Sequence, residues 1–250
     1  MIVLANDRGN NSTRNIGLAR VLSKLGYCSR SRAFDLIRAG RVTVNKTIRR
    51  DPEFPVQIET ARITIDGQPL TAATPIYLLM NKPRGLVTTA ADEKGRETIY
   101  TLLPKNTPWV GPVGRLDKAS EGLLLLTNDS EWAARITDPR THLDKTYHVQ
   151  VNTPTTEPLI TQLIRGLRVG AELLRVKHAT VLRSGQKNSW LEIVLDEGRN
   201  RHIRRLLDAF HIEVLRLVRV SIGPLTLGDL PKGAVRELTS EEKAWLDAVL

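Results

Sequence analysis

The residues best suited to chemistry are an arginine and an aspartate two positions apart, Arg115 and Asp117, in a loop that runs from Gly114 to Gly122. In extended backbone, residues two apart point to the same side, so the guanidinium and the carboxylate are expected to face one side of the loop. The apolar run of residues 123–127 that follows is short and typical of a buried strand. A carboxylate presented in this way at the edge of a sheet could serve as a nucleophile or a base. On spacing alone, however, a surface ion pair worth about 0–1 kcal/mol is the better interpretation.

Two further motifs contain charged residues. The segment 197–205 reads Glu-Gly-Arg-Asn-Arg-His-Ile-Arg-Arg, and written as a helix it separates an apolar stripe from a polar face. The stripe holds Ile203, Leu206, Leu207 and Phe210, and the polar face holds Arg201, Arg204, Arg205 and Asp208. The third motif, residues 81–85, reads Asn-Lys-Pro-Arg-Gly, and we interpret its Lys-Pro step as a structural turn beside the site.

The formal net charge of +10 is concentrated near the N-terminus. Residues 14–50 contain ten basic residues and one acid, a net charge of +9, so the other 213 residues together carry about +1. This concentration favours a module that binds a polyanion, and we prefer nucleic acid to a merely solubilising basic surface. With Cys28 as its one cysteine, the sequence excludes a disulfide framework and a multi-cysteine zinc site. It contains no phosphate-cradling Gly-x-x-x-x-Gly-Lys loop and no run of membrane-spanning length.

Within the basic region, the pattern predicts two short helices and a strand. Apolar residues at 16, 19, 22 and 25 have helical spacing and stop at Gly26. A second helix, capped by Ser29 or Ser31, is expected to end at Gly40, and residues 41–45 alternate as a strand.

Two sequence motifs resemble the S4 RNA-binding domain. They are Leu-Gly-Tyr-Cys-Ser-Arg at 25–30 and Ile-Arg-Ala-Gly-Arg-Val-Thr-Val-Asn at 37–45. The resemblance covers about residues 15–60 and implies that basic side chains contact RNA phosphates. The residues expected to do so are Arg30, Arg32, Arg38 and Arg41. Lys46 stands where that family usually has Gly, so a somewhat different hairpin turn is expected.

The chain is expected to contain four segments. Residues 1–13 read as a flexible tail, 14–60 as the RNA-binding domain, 61–75 as a connector and 76–250 as a catalytic domain. The connector contains one alternating stretch, 62–65, that ends in an Asp-Gly turn. In the last segment, strands are predicted near residues 76–80, 123–127, 146–151, 173–182 and 190–195, and helices near 130–136, 159–166 and 197–206.

The three charged motifs, together with Lys-Thr-Tyr at 145–147 and Ile-Gly-Pro-Leu at 222–225, resemble the pseudouridine synthases of the ribosomal small- and large-subunit type. The resemblance spans nearly all of residues 76–240. It implies an α+β fold, a mixed and mainly antiparallel sheet flanked by helices, and catalysis without a metal or an organic cofactor. One departure is His202, where the family commonly has Gln, and we expect it to alter local hydrogen bonds.

This resemblance implies roles for individual residues. Asp117 is expected to be the catalytic carboxylate, with Arg204 as its ion-pair partner, and Tyr147 is expected to lie against the flipped base and help remove the C5 proton. An unperturbed aspartate titrates near pH 3.9, so it is ionised at neutral pH. Arg115 is expected to fill the gap that the displaced uridine leaves, and Arg201 and Arg205 are interpreted as residues that bind the RNA backbone.

The function predicted is isomerisation of a uridine in ribosomal RNA, free or in an assembly intermediate, by a cytoplasmic monomer that does not bind membranes. The alternative is a non-catalytic ribosome-assembly factor, which would have no need of Asp117, Tyr147 and Arg204 together. A glycosidase is a third interpretation, weakened because only Glu121 could supply a second carboxylate nearby.

Overall fold

In the computed structural model, the described residues are 15–90, 92 and 94–250, and they fall into two compact units divided between Thr74 and Pro75. The tail predicted for residues 1–13 lies outside the described residues. Within the described ranges, no helix is both long and apolar enough to cross a bilayer.

The first unit combines two helices with short strands. In chain order its elements are β1 Ile16–Gly17, α1 Leu18–Lys24, α2 Arg30–Arg38, β2 Val42–Val44, β3 Thr47–Arg49, β4 Pro55–Val56, β5 Ile63–Ile65 and β6 Gln68–Pro69. Strand β1 pairs with β4, and the other strands form an antiparallel sheet in the order β3-β2-β5-β6. The predicted two-helix and strand arrangement is therefore confirmed.

Local chemistry explains the ends of these elements. The Ser29 hydroxyl accepts a hydrogen bond from the amide of Arg32 at 3.1 Å and so caps α2. The β2–β3 turn has both Asn45 and Lys46 in the left-handed region, with φ of 50° and 69°. Lys46 stands where the S4 family usually has glycine, and it adopts the left-handed conformation that glycine adopts most readily. Cys28 is buried in the apolar core of this unit.

The segment predicted as a connector instead contributes to the first unit. Strand β5 pairs with β2, β6 pairs with β5, and the amide of Ala73 donates to the carbonyl of Leu25 at 2.9 Å. The alternation of residues 62–65 was read correctly as a strand, but its partner is β2, some 20 residues earlier, which no local pattern indicates.

The second unit is built on one large sheet. Its strands are β7 Tyr77–Lys82, β8 Gly111–Val113, β9 Glu121–Thr127, β10 Lys145–Val151, β11 Leu167–Val169, β12 Glu172–Leu174, β13 His178–Ser184, β14 Ser189–Leu195, β15 Val214–Ile222, β16 Leu225–Thr226 and β17 Val235–Glu237. Its helices are α3 Ser130–Thr137, α4 Glu157–Arg165, α5 His202–Ala209 and α6 Ser240–Asp247, with 3-10 turns at Ile99–Leu102 and Pro139–Thr141.

Among the described residues, nine strands form this sheet, with the main path β13-β14-β10-β15-β9-β7-β17. Strands β9 and β15 run parallel, whereas the other pairs are antiparallel. The predicted α+β class with a mixed, mainly antiparallel sheet is confirmed. On one face, α4 and α5 pack on buried strand residues such as Val149, Leu191 and Ile193.

Two predicted elements differ from the structure. The strand expected over residues 173–182 is two strands, β12 and β13, because β12 pairs with β11 in a separate hairpin while β13 joins the large sheet. The helix expected from Glu197 begins only at His202, because Arg201 adopts a left-handed conformation with φ of 47° that an α-helix does not accept.

The parallel contact between β9 and β15 depends on Gly122. Its φ is +100°, and a Cβ placed there would lie 2.2 Å from the carbonyl oxygen and 2.8 Å from the amide nitrogen of Arg219. Both neighbours belong to backbone, which cannot move aside as a flexible side chain could. Glycine at 122 is therefore required for the two strands to meet at the centre of the sheet.

We expect Gly122→Ala to lower the free energy of unfolding by at least about 2 kcal/mol, because it combines an unfavourable φ with a backbone clash. Thermal and urea denaturation measure the effect. Gly198→Ala is the matched control, since a Cβ at 198 meets no atom within 4 Å. Similar stabilities for the two variants would contradict this account of the parallel contact.

Candidate active site

The Arg115–Asp117 loop opens into a cavity of about 550 Å³ in the second unit. Five parts of the chain line it: the loop after β8, the end of α3 with the turn that follows, the start of β10, the segment from the end of β14 into α5, and β15. Residues with polar side chains on its wall include Arg115, Asp117, Lys145, Tyr147, Asp196, Arg201 and Arg219. The structure thus brings together four residues that the sequence singled out, namely Arg115, Asp117, Tyr147 and Arg201.

The conformation of the Asp117 loop is set by a buried lysine. Lys82, at the end of β7, is fully buried, and its ammonium donates to the carbonyls of Pro83 at 3.0 Å, Asp117 at 3.2 Å and Ser120 at 3.0 Å. Burial lowers the pKa of Lys82 to about 8. The sequence pattern predicts a structural turn at the Lys-Pro step, and the structure adds that the lysine binds the Asp117 loop directly.

The motif that follows Lys82 binds the loop as well. The amide of Gly85 donates to the carbonyl of Lys118 at 2.8 Å, and the hydroxyl of Thr88 donates to the carbonyl of Leu116 at 2.7 Å. These bonds hold the backbone on both sides of Asp117. Its carboxylate, about one third exposed, is left facing the cavity.

The predicted ion pair between Arg204 and Asp117 does not form in the structure. Arg204, on α5, donates through Nη2 to the carbonyl of Ala119 at 3.0 Å and through Nη1 to the carbonyl of Val214 at 3.3 Å. Its guanidinium is turned toward backbone because α5 packs beside the loop and against β15. Burial lowers the pKa of Arg204, and the charge of Asp117 opposes that change, so the two groups interact electrostatically without direct contact.

Instead, Asp117 pairs with Arg201, whose Nη1 lies 3.7 Å from the carboxylate. Arg201 was expected to bind RNA backbone, and it stands immediately before α5 in the left-handed conformation. About half of its side chain is exposed. A pair this long and this accessible contributes little energy, so an incoming phosphate can displace it.

Tyr147 lies on β10 between two strands, opposite Ile193 of β14 and Arg219 of β15. It is partly buried and packs against apolar residues of two core clusters. The predicted alternation of β10 is confirmed, since Val149 and Val151 on the same face are fully buried. Tyr147 lines the cavity, whereas Val149 and Val151 do not.

An ionic network fixes the segment before α5. Glu172 on β12 accepts from Arg205 at 2.5 Å and lies 4.0 Å from Arg199, which also pairs with Glu197 at 2.8 Å. The charge of Arg205, predicted to bind RNA, is therefore balanced within the protein. The buried His202 has Nδ1 3.3 Å from Glu197, and its pKa is lowered chiefly by burial. The histidine found in place of glutamine thus belongs to the same network.

In the first unit, Arg30, Arg32 and Arg38 are exposed, as an RNA-binding role requires. Arg38 also stacks over the ring of Phe34, with its guanidinium carbon 5.5 Å from the ring centre. Arg41 forms a two-pronged pair with Asp66, whose closest approach is 2.5 Å. Because Arg41 is nearly half exposed, this pairing leaves part of the guanidinium accessible.

A carboxylate and a tyrosine that share a cavity with several arginines, in a chain with a separate basic unit, are features of an enzyme that acts on nucleic acid. Residues 76–209 match the family model described as RNA pseudouridylate synthase, and residues 16–63 match that of the S4 domain. The chain belongs to the RNA pseudouridylate synthase family. It is an isomerase that converts uridine in RNA to pseudouridine, with an N-terminal S4 domain.

Relatives match along almost the whole chain. An RNA pseudouridine synthase of Aquifex aeolicus is 37% identical over 232 residues, which cover 92% of this chain and 93% of the relative. The ribosomal large subunit pseudouridine synthase B of Bacillus subtilis is 36% identical over 236 residues, 93% of this chain and 96% of the relative. A crystal structure of a pseudouridylate synthase superposes with a TM-score of 0.66 at 29% identity and covers 92% and 99% of the two chains.

The lowered pKa of Lys82 predicts a pH dependence of stability. Its pKa is about 8 in the folded protein and about 10.4 in the unfolded chain, so the unfolded state binds more protons between these values. The destabilisation that Lys82 causes is full below pH 8 and diminishes as the pH rises through this range.

The measurement is the unfolding free energy of wild type and of Lys82→Met at pH 7.5 and pH 10. We expect the stability of wild type relative to the variant to increase with pH. Lys118→Met, which removes an exposed lysine, should show no such difference. A constant or falling difference for Lys82→Met would show that three carbonyl partners keep the lysine charged throughout.

Proposed function

We propose that this enzyme isomerises a specific uridine in ribosomal RNA, with Asp117 as the catalytic carboxylate. The observation that carries the proposal is the position of Asp117, partly exposed on a fixed loop in the same cavity as Tyr147. The ribosomal substrate is supported by the 36% identity, over nearly the full length, to a relative named for the large ribosomal subunit.

In this proposal the target nucleotide leaves its stack and enters the cavity, at a cost of a few kcal/mol that contacts with the protein offset. The Asp117 carboxylate then acts as a nucleophile or base on the ribose. Breaking N1–C1′ and joining C5 to C1′ exchanges one glycosidic bond for another, so no energy source is needed. Tyr147 lies against the detached base and helps remove the C5 proton, while the exposed Arg115 fills the gap left in the RNA.

Arg204 and Arg201 have different roles in this proposal. Arg204 is a positioning residue, since it acts on the loop through the carbonyl of Ala119. Arg201 neutralises Asp117 in the free enzyme and moves to an RNA phosphate when the substrate binds, because its pair is long and exposed. Arg205 contributes less to RNA binding than the sequence suggested, because Glu172 already balances its charge.

The same proposal disfavours the two other function classes. A non-catalytic assembly factor does not need a fixed, cavity-facing carboxylate. A glycosidase would need a second carboxyl group in the site, and Glu121 is 3% exposed and paired with Arg216 at 3.1 Å and Lys232 at 2.5 Å. Burial raises its pKa, but the hydrogen bonds from these two cations outweigh that effect and lower it. Glu121 therefore stays ionised and cannot donate a proton.

The cellular setting is part of the proposal too. One buried cysteine, Cys28, is typical of proteins in the reducing cytoplasm, where we place this enzyme. The cavity is lined by residues of a single chain, so a monomer would suffice for catalysis. The substrate is ribosomal RNA, either free or in an assembly intermediate, and the exposed arginines of the S4 domain bind its phosphates.

Asp117→Asn tests the catalytic role, since asparagine preserves the shape of the side chain and removes its charge. We expect the rate to fall by several orders of magnitude while RNA affinity is retained. The assay is single-turnover release of tritium from C5-labelled uridine in ribosomal RNA. Comparable release from variant and wild type would exclude Asp117 as the essential carboxylate. No release from wild type on any ribosomal RNA or assembly intermediate would favour the assembly factor.

The two arginines can be separated by parallel variants in the same assay. Arg204→Ala removes a hydrogen bond to the Asp117 loop, so we expect turnover to fall at least about a hundredfold with little change in RNA affinity. Arg201→Ala removes only an exposed pair worth about 0–1 kcal/mol, so turnover should fall less than about tenfold and RNA affinity should weaken. The reverse order of effects would assign Arg201, and not Arg204, as the residue that keeps Asp117 in place.

A further inference from the structure

A buried arginine in the cavity wall has no role in the site described so far. Arg219, on β15, is 6% exposed, and its Nε donates to the carbonyl of Leu123 at 2.8 Å. Its Nη2 is buried and has no hydrogen-bond partner among the described residues. An unpartnered buried donor on a charged group is costly, so a partner supplied by a ligand would explain its retention.

A second cation lies next to it. Lys145 begins β10, two residues before Tyr147, so both side chains belong to the same face of the sheet. Arg219 lies opposite Tyr147 in the register of β10 and β15. Burial lowers the pKa of Lys145, and the charge of Arg219 on the neighbouring strand lowers it further. All three residues line the cavity.

The nearby carboxylates do not neutralise this pair. Asp144 accepts from Lys177 at 2.8 Å, and Asp196 lies 3.6 Å from His142. Each raises the pKa of Lys145, but burial and the charge of Arg219 each have a larger effect, and the pKa is lowered. Within the described part of the chain, Arg219 forms no ion pair with a carboxylate, so no direct contact neutralises its charge.

Depth in the cavity distinguishes Arg219 from the arginines at its rim. Arg115 is exposed and Arg201 is half exposed, so both can reach the phosphates of a bound RNA. Arg219 is nearly inaccessible and stands beside Tyr147, against which the flipped base is placed. In the proposed function, the phosphates stay with the RNA backbone outside the cavity, whereas the flipped uracil ring enters it. The ligand group that meets Arg219 is therefore a ring carbonyl.

We infer that Arg219, with Lys145 beside it, is a contact that determines specificity for uracil and speeds the reaction: its guanidinium donates to a carbonyl oxygen of the flipped base and stabilises the negative charge that develops when the base leaves C1′. This inference rests on the proposed function. When N1–C1′ breaks, its electron pair passes to N1 and is delocalised onto the ring carbonyls, while an oxygen of Asp117 bonds to C1′. C5 then bonds to C1′ as the carboxylate leaves, the C5 proton departs to a base, and N1 takes a proton from water.

The test varies the stability of the base anion independently of the protein. Fluorine at C5 withdraws electrons and stabilises the anion, so 5-fluorouridine needs less help from Arg219. Ribosomal RNA is transcribed with uridine or with 5-fluorouridine, and single-turnover formation of the C5-linked nucleoside is followed by mass spectrometry after digestion. The variants are Arg219→Met, Arg219→Lys and Lys145→Met. Arg183→Met is the control, because Arg183 is an exposed arginine of the same sheet outside the cavity.

For Arg219→Met we expect the rate with uridine to fall by about 10²–10³, the usual effect of removing one donor from a developing anion. The loss with 5-fluorouridine should be at least about tenfold smaller, and RNA affinity should change less than about twofold. Arg219→Lys should lie between wild type and Arg219→Met, because it keeps a charge but loses the planar fork. Lys145→Met should show a smaller loss with the same dependence on fluorine, and Arg183→Met should behave as wild type.

Equal losses on the two RNAs would assign Arg219 a structural role only, and a loss confined to RNA affinity would assign it to a phosphate. Either result overturns the inference while leaving the proposed function intact, since wild type remains active. If Arg219→Met does not fold, Arg219→Lys and Lys145→Met decide by the same comparison. Inactive wild type on both RNAs would overturn the proposed function and this inference together.

Discussion

The site depends on one arrangement of backbone: the carbonyls of residues 116–120 each accept a hydrogen bond from a group outside that loop. The donors are a hydroxyl from Thr88, an amide from Gly85, a guanidinium from Arg204 and the ammonium of Lys82, which binds two of the five. Loop backbone that faces protein must have its polar groups satisfied, and here the partners are largely side chains. The bonds to these carbonyls fix the position of Asp117, so its carboxylate does not have to accept hydrogen bonds that would hold the loop.

This arrangement explains why the three charged motifs occur together in one chain. Residues 81–88 and 201–205 approach the Asp117 loop from different elements, one from the end of β7 and the other from α5. Both contribute cations or amides to its carbonyls. Cations are suitable because a charge-assisted bond to a carbonyl is stronger than a neutral one and offsets part of the cost of burial. Changing one motif would therefore alter the position of a carboxylate supplied by another.

Periodicity and capping residues in the sequence were sufficient for most of the fold. The cap at Ser29, the alternation of β10 and the apolar stripe of α5 each depend on neighbours within a few residues, and each appears in the structure. Contacts that depend on distant parts of the chain could not be read in this way. The pairing of β5 with β2, the separation of β12 from β13 and the burial of Lys82 are set by tertiary packing. The motif resemblance singled out Asp117 and Tyr147, which line one cavity in the structure, but the direction of the Arg204 side chain is a rotamer choice that no sequence pattern specifies.

Net charge also concealed the electrostatics of the second unit. Residues 75–250 carry a formal net charge of only +4, from 25 basic and 21 acidic residues, yet the cavity combines exposed cations at its rim with the partly buried Lys145 and the buried Arg219. The two groups of cations respond differently to their surroundings. Salt screens exposed charges over about 10 Å, so rim contacts with phosphates weaken as ionic strength rises, whereas buried cations are screened far less. Affinity for RNA and stabilisation of charge on the base can therefore be set separately. Accessible arginines set the first, and cations deeper in the cavity set the second. The net charge of a domain sums its exposed and its buried charges. It therefore says little about the electrostatic potential inside the active site.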